Sequence, residues 1–98
     1  MKNLPDRHQF ETLSISVRGR VQGVGFRAAT IRRAHMHGVT GWVRNMDDGS
    51  VQVMAQGSPD QVDALLSWLH QGPPAARVDE VSHEQVATER HYDRFDQH

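Results

Sequence analysis

The 98-residue sequence contains no cysteine. Disulfides, thiol chemistry and cysteine-based metal sites are thereby excluded, and the composition fits a reducing compartment. No apolar run approaches the roughly 20 residues of a membrane-spanning helix. No apolar segment follows Lys2, so the N-terminus does not read as a secretory signal. An excess of one charge is also missing: 11 Lys and Arg stand against 12 Asp and Glu, for a formal net charge of -1. A general nucleic-acid binder is usually strongly basic, so that class is disfavoured. These absences leave a soluble, cytoplasmic protein of one domain as the expectation; a monomer is expected too, although no residue pattern reveals the oligomeric state. A chain of this length buries roughly two thirds of its unfolded surface and needs no covalent staple.

What is present is unevenly spread. Arg18, Arg20, Arg27, Arg32, Arg33 and Arg44 lie in the first half, and acidic residues gather in the C-terminal part and the turns. That asymmetry steers a small anion toward the N-terminal half. Residues 1–10 are polar and without period, which reads as a flexible tail ahead of a domain over 11–98. From Leu13 the chain alternates, with Leu13, Ile15 and Val17 on one face of a half-buried strand. A helix is predicted from about Gly25 to His37, with Phe26, Thr30, Ile31 and Ala34 on its apolar side and Gly38 as a left-handed cap. Thr40 to Asn45 and Ser50 to Gln56 read as strands joined by the turn Asp47-Asp48-Gly49.

The second helix is signalled more strongly. Ser58 is an N-cap, Pro59 the first helical residue, and Gln61 completes a capping box. Val62, Leu65, Leu66 and Leu69 then recur at helical spacing. Gly72-Pro73-Pro74 ends the run. A fourth strand is expected between Arg77 and Val86, bulged because Val78 and Val81 fall on opposite faces. The last residues form a short edge strand through Tyr92 and Phe95. The order βαββαβ predicts an α+β, ferredoxin-like split βαβ fold: an antiparallel sheet with both helices on one face. Strands one and three are then central, and the loop after strand one meets the end of strand two.

That loop is the stretch Arg18-Gly-Arg-Val-Gln-Gly-Val-Gly-Phe-Arg27. Glycines let successive N–H groups form a concave nest for an anion. A helix beginning near Phe26 adds unpaired N–H groups and the positive end of its dipole. Arg27 falls in its first turn, where a cation opposes the dipole unless an anion is present. Its planar fork suits a phosphate. The residues alone leave open a surface turn with solvated arginines. The stretch fits neither the mononucleotide pattern, which ends in Gly-Lys-Ser/Thr, nor the dinucleotide fingerprint.

Gly19-Arg-Val-Gln-Gly-Val-Gly-Phe-Arg27 resembles the signature of the acylphosphatase family. Gly38-Val-Thr-Gly-Trp-Val-Arg-Asn45, followed by Asp48-Gly-Ser-Val51, resembles its second signature. The match runs from about Ser14 to about Gly72. The resemblance implies the ferredoxin-like fold and hydrolysis of acyl phosphates to carboxylate and inorganic phosphate. It makes Arg27 the phosphate-binding arginine and Asn45 the residue that orients the water. It assigns the phosphoryl oxygens to main-chain N–H groups of Gln22, Gly23, Val24, Gly25 and Phe26. It implies no cofactor, no metal, no covalent enzyme intermediate, and no nucleic-acid or membrane partner. Residues 84–98 match the family poorly apart from Phe95, which leaves the last strand and the acyl preference open.

Other residues read plainly. Asn45 alone is a cap before a turn, and only the first motif makes it catalytic. Trp42 reads as core, Gly41 as a close backbone approach, and Met46 and Met54 as packing. His35 and His37 do not share a helix face and make a poor metal pair. The competing functions are an anion-sensing or interaction module on the same fold and a nucleic-acid module. The central strands carry no aromatic on which bases could stack, which argues against the latter.

Overall fold

The structure, a computed structural model, describes residues 10–98. The expected tail, apart from Phe10, lies outside the described residues. The elements are β1 (Glu11–Arg20), α1 (Phe26–His37), β2 (Thr40–Asn45), β3 (Val51–Gly57), α2 (Pro59–Leu69), β4 (Arg77–Gln85) and β5 (Phe95–Gln97).

Alternation decides which face of the sheet is covered. Leu13, Ile15 and Val17 on β1 oppose Ala55, Val53 and Val51 on β3 in an antiparallel register. All six are buried, together with Phe26 and Ala34 of α1 and Val62, Leu65 and Leu69 of α2. Both helices therefore pack on that face. Burying each larger aliphatic side chain contributes about 1.5–3 kcal/mol, which offsets the modest helix-forming pattern of α1. The strand order is β4-β1-β3-β2-β5, with β1 and β3 side by side as expected. The fold is α+β and ferredoxin-like.

The capping box of α2 is formed in full: the Gln61 N–H donates to Ser58 Oγ at 3.2 Å and the Ser58 N–H to Gln61 Oε1 at 2.9 Å. Gly38 ends α1 in the left-handed conformation, with its N–H bonded to the His35 carbonyl. On β2, a Cβ at Gly41 would run into the Met54 carbonyl, the close approach that its position suggested.

Three expectations need correction. First, β1 does not end near Val17. Arg18, Gly19 and Arg20 continue the strand, pairing with Glu80, Val78 and Arg77 of β4. The first three residues of the presumed loop are thus held by a partner 57 or more positions downstream, which no local pattern reveals. The register slips at this point and skips Asp79. This is the expected bulge, and it lets Val78 and Val81 both rest against the core. Second, the sheet is not wholly antiparallel, because β5 adds to its edge parallel to β2, with Phe95 opposite Gly41. Phe95 is buried, while Tyr92 lies before the strand and donates its N–H to Gln56 Oε1 at 2.9 Å. Third, Trp42 is not core. It is half-buried and stacks on the His98 ring, with centroids 5.2 Å apart and planes 12° apart, and the Arg44 guanidinium lies 5.1 Å from its centroid.

Candidate active site

The turn between β1 and α1 is short, residues 21–25. Val21 is buried and anchors its start. Gly23 and Gly25 have φ of 76° and 78°, a left-handed conformation that costs other L-residues about 1 kcal/mol or more. A Cβ at either would meet nothing within 4 Å, so the demand is conformational and not one of space. Gly25 is also the N-cap of α1. No side chain caps this end, and the first turn holds no acid. The first N–H in the region to find an acceptor is that of Ala29, bonded to the Gly25 carbonyl at 3.1 Å. Among the described residues, no hydrogen bond uses the main-chain N–H groups of residues 22–28. Unpaired donors at a helix start attract an anion.

These donors border a cavity of about 190 Å³ lined by Val21, Gly23, Gly25, Phe26, Arg27, Ala28, Asn45 and Gln97. A water occupies about 30 Å³ of liquid, so there is room for a phosphoryl group and one water. A larger groove of about 490 Å³ lies at the other end of the sheet, between Thr12, Gln56 and Arg90. It lacks the unpaired helix start. No lining residue of the smaller cavity is a carboxylate or an imidazole. Among the described residues, no three His, Asp or Glu side chains gather as a metal site would need.

The structure brings together Gly23, Gly25, Phe26, Arg27 and Asn45. Arg27 is tethered: its Nη1 donates to the main-chain oxygen of His98 at 3.2 Å. Asn45 is the last residue of β2, paired with Val51 of β3, where the strand enters the turn. Gln22 and Val24 do not line the cavity. Val24 leans against the core. The Gln22 side chain turns away and donates from Nε2 to the carbonyls of Met46 and Ser50, at 2.8 and 2.9 Å.

Sequence reasoning kept the C-terminal segment apart from the site, yet Gln97 lines the cavity and His98 holds Arg27. The one available signal was Phe95, the aromatic that anchors β5 beside β2. The β2–β3 turn is fastened separately. Asp48 Oδ1 accepts from the Ser50 hydroxyl at 2.6 Å and N–H at 3.0 Å, and Oδ2 accepts from Arg18 Nη2 at 3.1 Å. The Ser50 bonds foremost, and the Arg18 charge after them, hold the Asp48 carboxyl below its usual range.

A ferredoxin-like sheet here carries an unpaired helix start, an arginine and a strand-end amide around one small cavity, an arrangement whose chemistry suits an oxyanion. The chain belongs to the acylphosphatase family, whose model matches residues 13–97. An acylphosphatase of Paraburkholderia xenovorans is 62% identical over 95 residues, 96% of this chain and 98% of that protein. One of Bordetella avium is 59% identical over 88 residues, covering 90% and 94%. Among solved structures, an acylphosphatase from Coxiella burnetii superposes with a TM-score of 0.89 at 34% identity, covering 96% of this chain and 98% of its own.

Proposed function

We propose that the protein hydrolyses acyl phosphates, that the 22–28 N–H groups and Arg27 hold the phosphoryl oxygens, and that Asn45 orients the attacking water. The observation that carries this reading is the run of unpaired N–H groups beside Arg27 at the mouth of the cavity. A water hydrogen-bonded to the Asn45 amide attacks phosphorus. The bond from phosphorus to the acyl oxygen breaks, and the carboxylate leaves with the electron pair. An amide takes no proton, and the lining offers no base. The proton of the water therefore passes to a phosphate oxygen of the substrate itself. The leaving group is already good, so rate comes from placement and from donors aimed at the developing charge. Each such donor is worth ~10²–10³ in rate. We also propose that it acts as a monomer in the cytoplasm; a cysteine-free chain is compatible with that reducing compartment.

The test is hydrolysis of benzoyl phosphate in EDTA, followed by ultraviolet absorbance, with wild type beside Arg27→Ala. Fast hydrolysis, lost in a folded Arg27→Ala protein along with inhibition by phosphate, supports the reading. A folded variant with near wild-type rate rejects Arg27. No turnover by the wild type, with phosphate still bound, favours an anion-sensing module.

A further inference from the structure

We infer that the Gln22 side chain is a positioning residue for catalysis, acting through Asn45: it clamps the β2–β3 turn to the phosphate-binding loop and so sets where the water stands relative to phosphorus. This rests on the role proposed above for Asn45.

The two halves of the site come from separate parts of the chain. The anion donors belong to the β1–α1 turn and the start of α1. Asn45 belongs to β2, and beyond it the chain turns at Met46. Water attack requires the two halves to hold one spacing, since a misplacement of about 1 Å costs about 10²-fold in rate. The two Gln22 bonds join them directly, to the residue that follows Asn45 and to Ser50 across the turn. The turn is closed on itself first: the Met46 N–H donates to the Ser50 carbonyl at 2.8 Å and the Gly49 N–H to the Met46 carbonyl at 3.1 Å. The carbonyls of Met46 and Ser50 each keep a second lone pair, and the one amide nitrogen takes both. Two acceptors fix the turn in orientation as well as distance, which a single bond does not. Both neighbours are carbonyl oxygens, so the nitrogen of the amide must be the end that faces them.

A second strut to the β2–β3 turn, from the end of β1, is weaker. Arg18 and Asp48 pair at 3.1 Å with side chains 53% and 52% exposed, and water and salt screen such a pair. The Gln22 bonds are partly buried and neutral. Gln22 thus occupies the signature turn without lining the cavity. Its N–H stays with the anion donors, while its side chain serves the other half of the site.

The experiment is a double-mutant cycle on benzoyl phosphate hydrolysis with Gln22→Met and Asn45→Ala. Methionine keeps the length of the side chain and the backbone N–H but loses both donors. We expect Gln22→Met to lower kcat by about 10²-fold, with the inhibition constant for inorganic phosphate changed less than about threefold. In the Asn45→Ala background the same substitution should change kcat by less than about twofold, because residues that act as one unit are not additive. Equal losses in both backgrounds overturn the inference, as does a Gln22→Met enzyme with wild-type kcat. A loss of phosphate affinity matching the loss of kcat also overturns it. If Gln22→Met does not fold, Gln22→Asn replaces it, keeping the amide but too short to reach both carbonyls. Failure of both to fold makes Gln22 a folding residue and rejects the proposal. Asn45→Ala with wild-type kcat would reject the Asn45 assignment itself. A large loss in Asn45→Ala beside none in Gln22→Met sinks the present inference alone.

Discussion

Arg27 and His98 are 71 positions apart, yet the guanidinium of one donates to the main-chain oxygen of the other at 3.2 Å. The bond ties the first turn of α1 to the chain that follows β5. His98 is held in turn by its own N–H, donated to the Val43 carbonyl at 2.8 Å, and by its stack on Trp42. The guanidinium is thus aimed from outside its own helix. A chain ending at Asp96 should stay folded, because Phe95 keeps its buried place. The bond is exposed, so water offsets part of its strength; with that aim lost, and Gln97 gone from the cavity lining, phosphate inhibition should weaken severalfold. His98→Ala keeps the main-chain oxygen and should show the smaller effect. Inhibition constants of the two variants, beside circular dichroism, check the order.

Substituting Gly25 separates strain from binding. Gly25→Ala places an L-residue at φ 78° with open space for the new Cβ. The expected loss of stability is about 1 kcal/mol, or roughly 4–8 °C in Tm for a domain of this size. Relaxation of that angle moves the neighbouring N–H groups, so phosphate affinity should fall too. Gly38→Ala has φ 73° at the other end of α1. It should lower Tm at least as much, since its Cβ would also come within 2.8 Å of Gln61 Nε2 in the α2 capping box, and leave phosphate affinity unchanged. Thermal melts and phosphate titrations on the pair decide the matter.

The Asp48 carboxyl gives the β2–β3 turn a pH limit. Its pKa is lowered in the fold, by the Ser50 bonds first. A depressed carboxyl stabilises above its ordinary pKa, and that contribution disappears as pH falls through the folded value. The window therefore opens below about pH 4. Wild-type Tm should fall more steeply from pH 5 to pH 3 than that of Asp48→Asn, with a small difference because the group is exposed. Equal slopes would remove Asp48 from the account.

Gln56 governs the far end of the sheet. Its buried amide donates to Thr12 Oγ1 at 2.9 Å and to the Arg90 carbonyl at 2.8 Å, and accepts the Tyr92 N–H. It is the post on which the β4–β5 connection hangs. Gln56→Ala breaks all three bonds; Thr12 and Arg90 border the groove described above, where water replaces part of them, so the loss should be about 1–2 kcal/mol. Denaturant titration measures that loss. Because β5 carries Gln97 into the site, kcat should also drop in the folded fraction, although Gln56 lies at the opposite end of the sheet.

The parts legible in the sequence were those written locally. The alternation of Leu13, Ile15 and Val17, the Ser58–Gln61 box and the Gly38 cap each encode their structure within a few residues, and the glycines of the β1–α1 turn mark its left-handed backbone. The parts that escaped depend on distant partners. Arg18 to Arg20 have no strand-like pattern and are extended because β4 pairs with them. Trp42 reads as core by residue type, but its ring lies against His98, which only the return of the chain brings there. Gln22 and Gln97 are ordinary polar letters until the turn and the last strand are in place.

The parallel docking of β5 on β2 has a kinetic consequence. A parallel neighbour cannot be reached by a hairpin, so this strand joins only after a long connection has closed, and long closures slow folding. The helices, and the β2–β3 hairpin with its local turn, can form early. Arg27 finds its anchor only when the last segment arrives. In refolding, recovery of turnover should therefore trail recovery of the far-ultraviolet helical signal, and the interval between them times the arrival of β5.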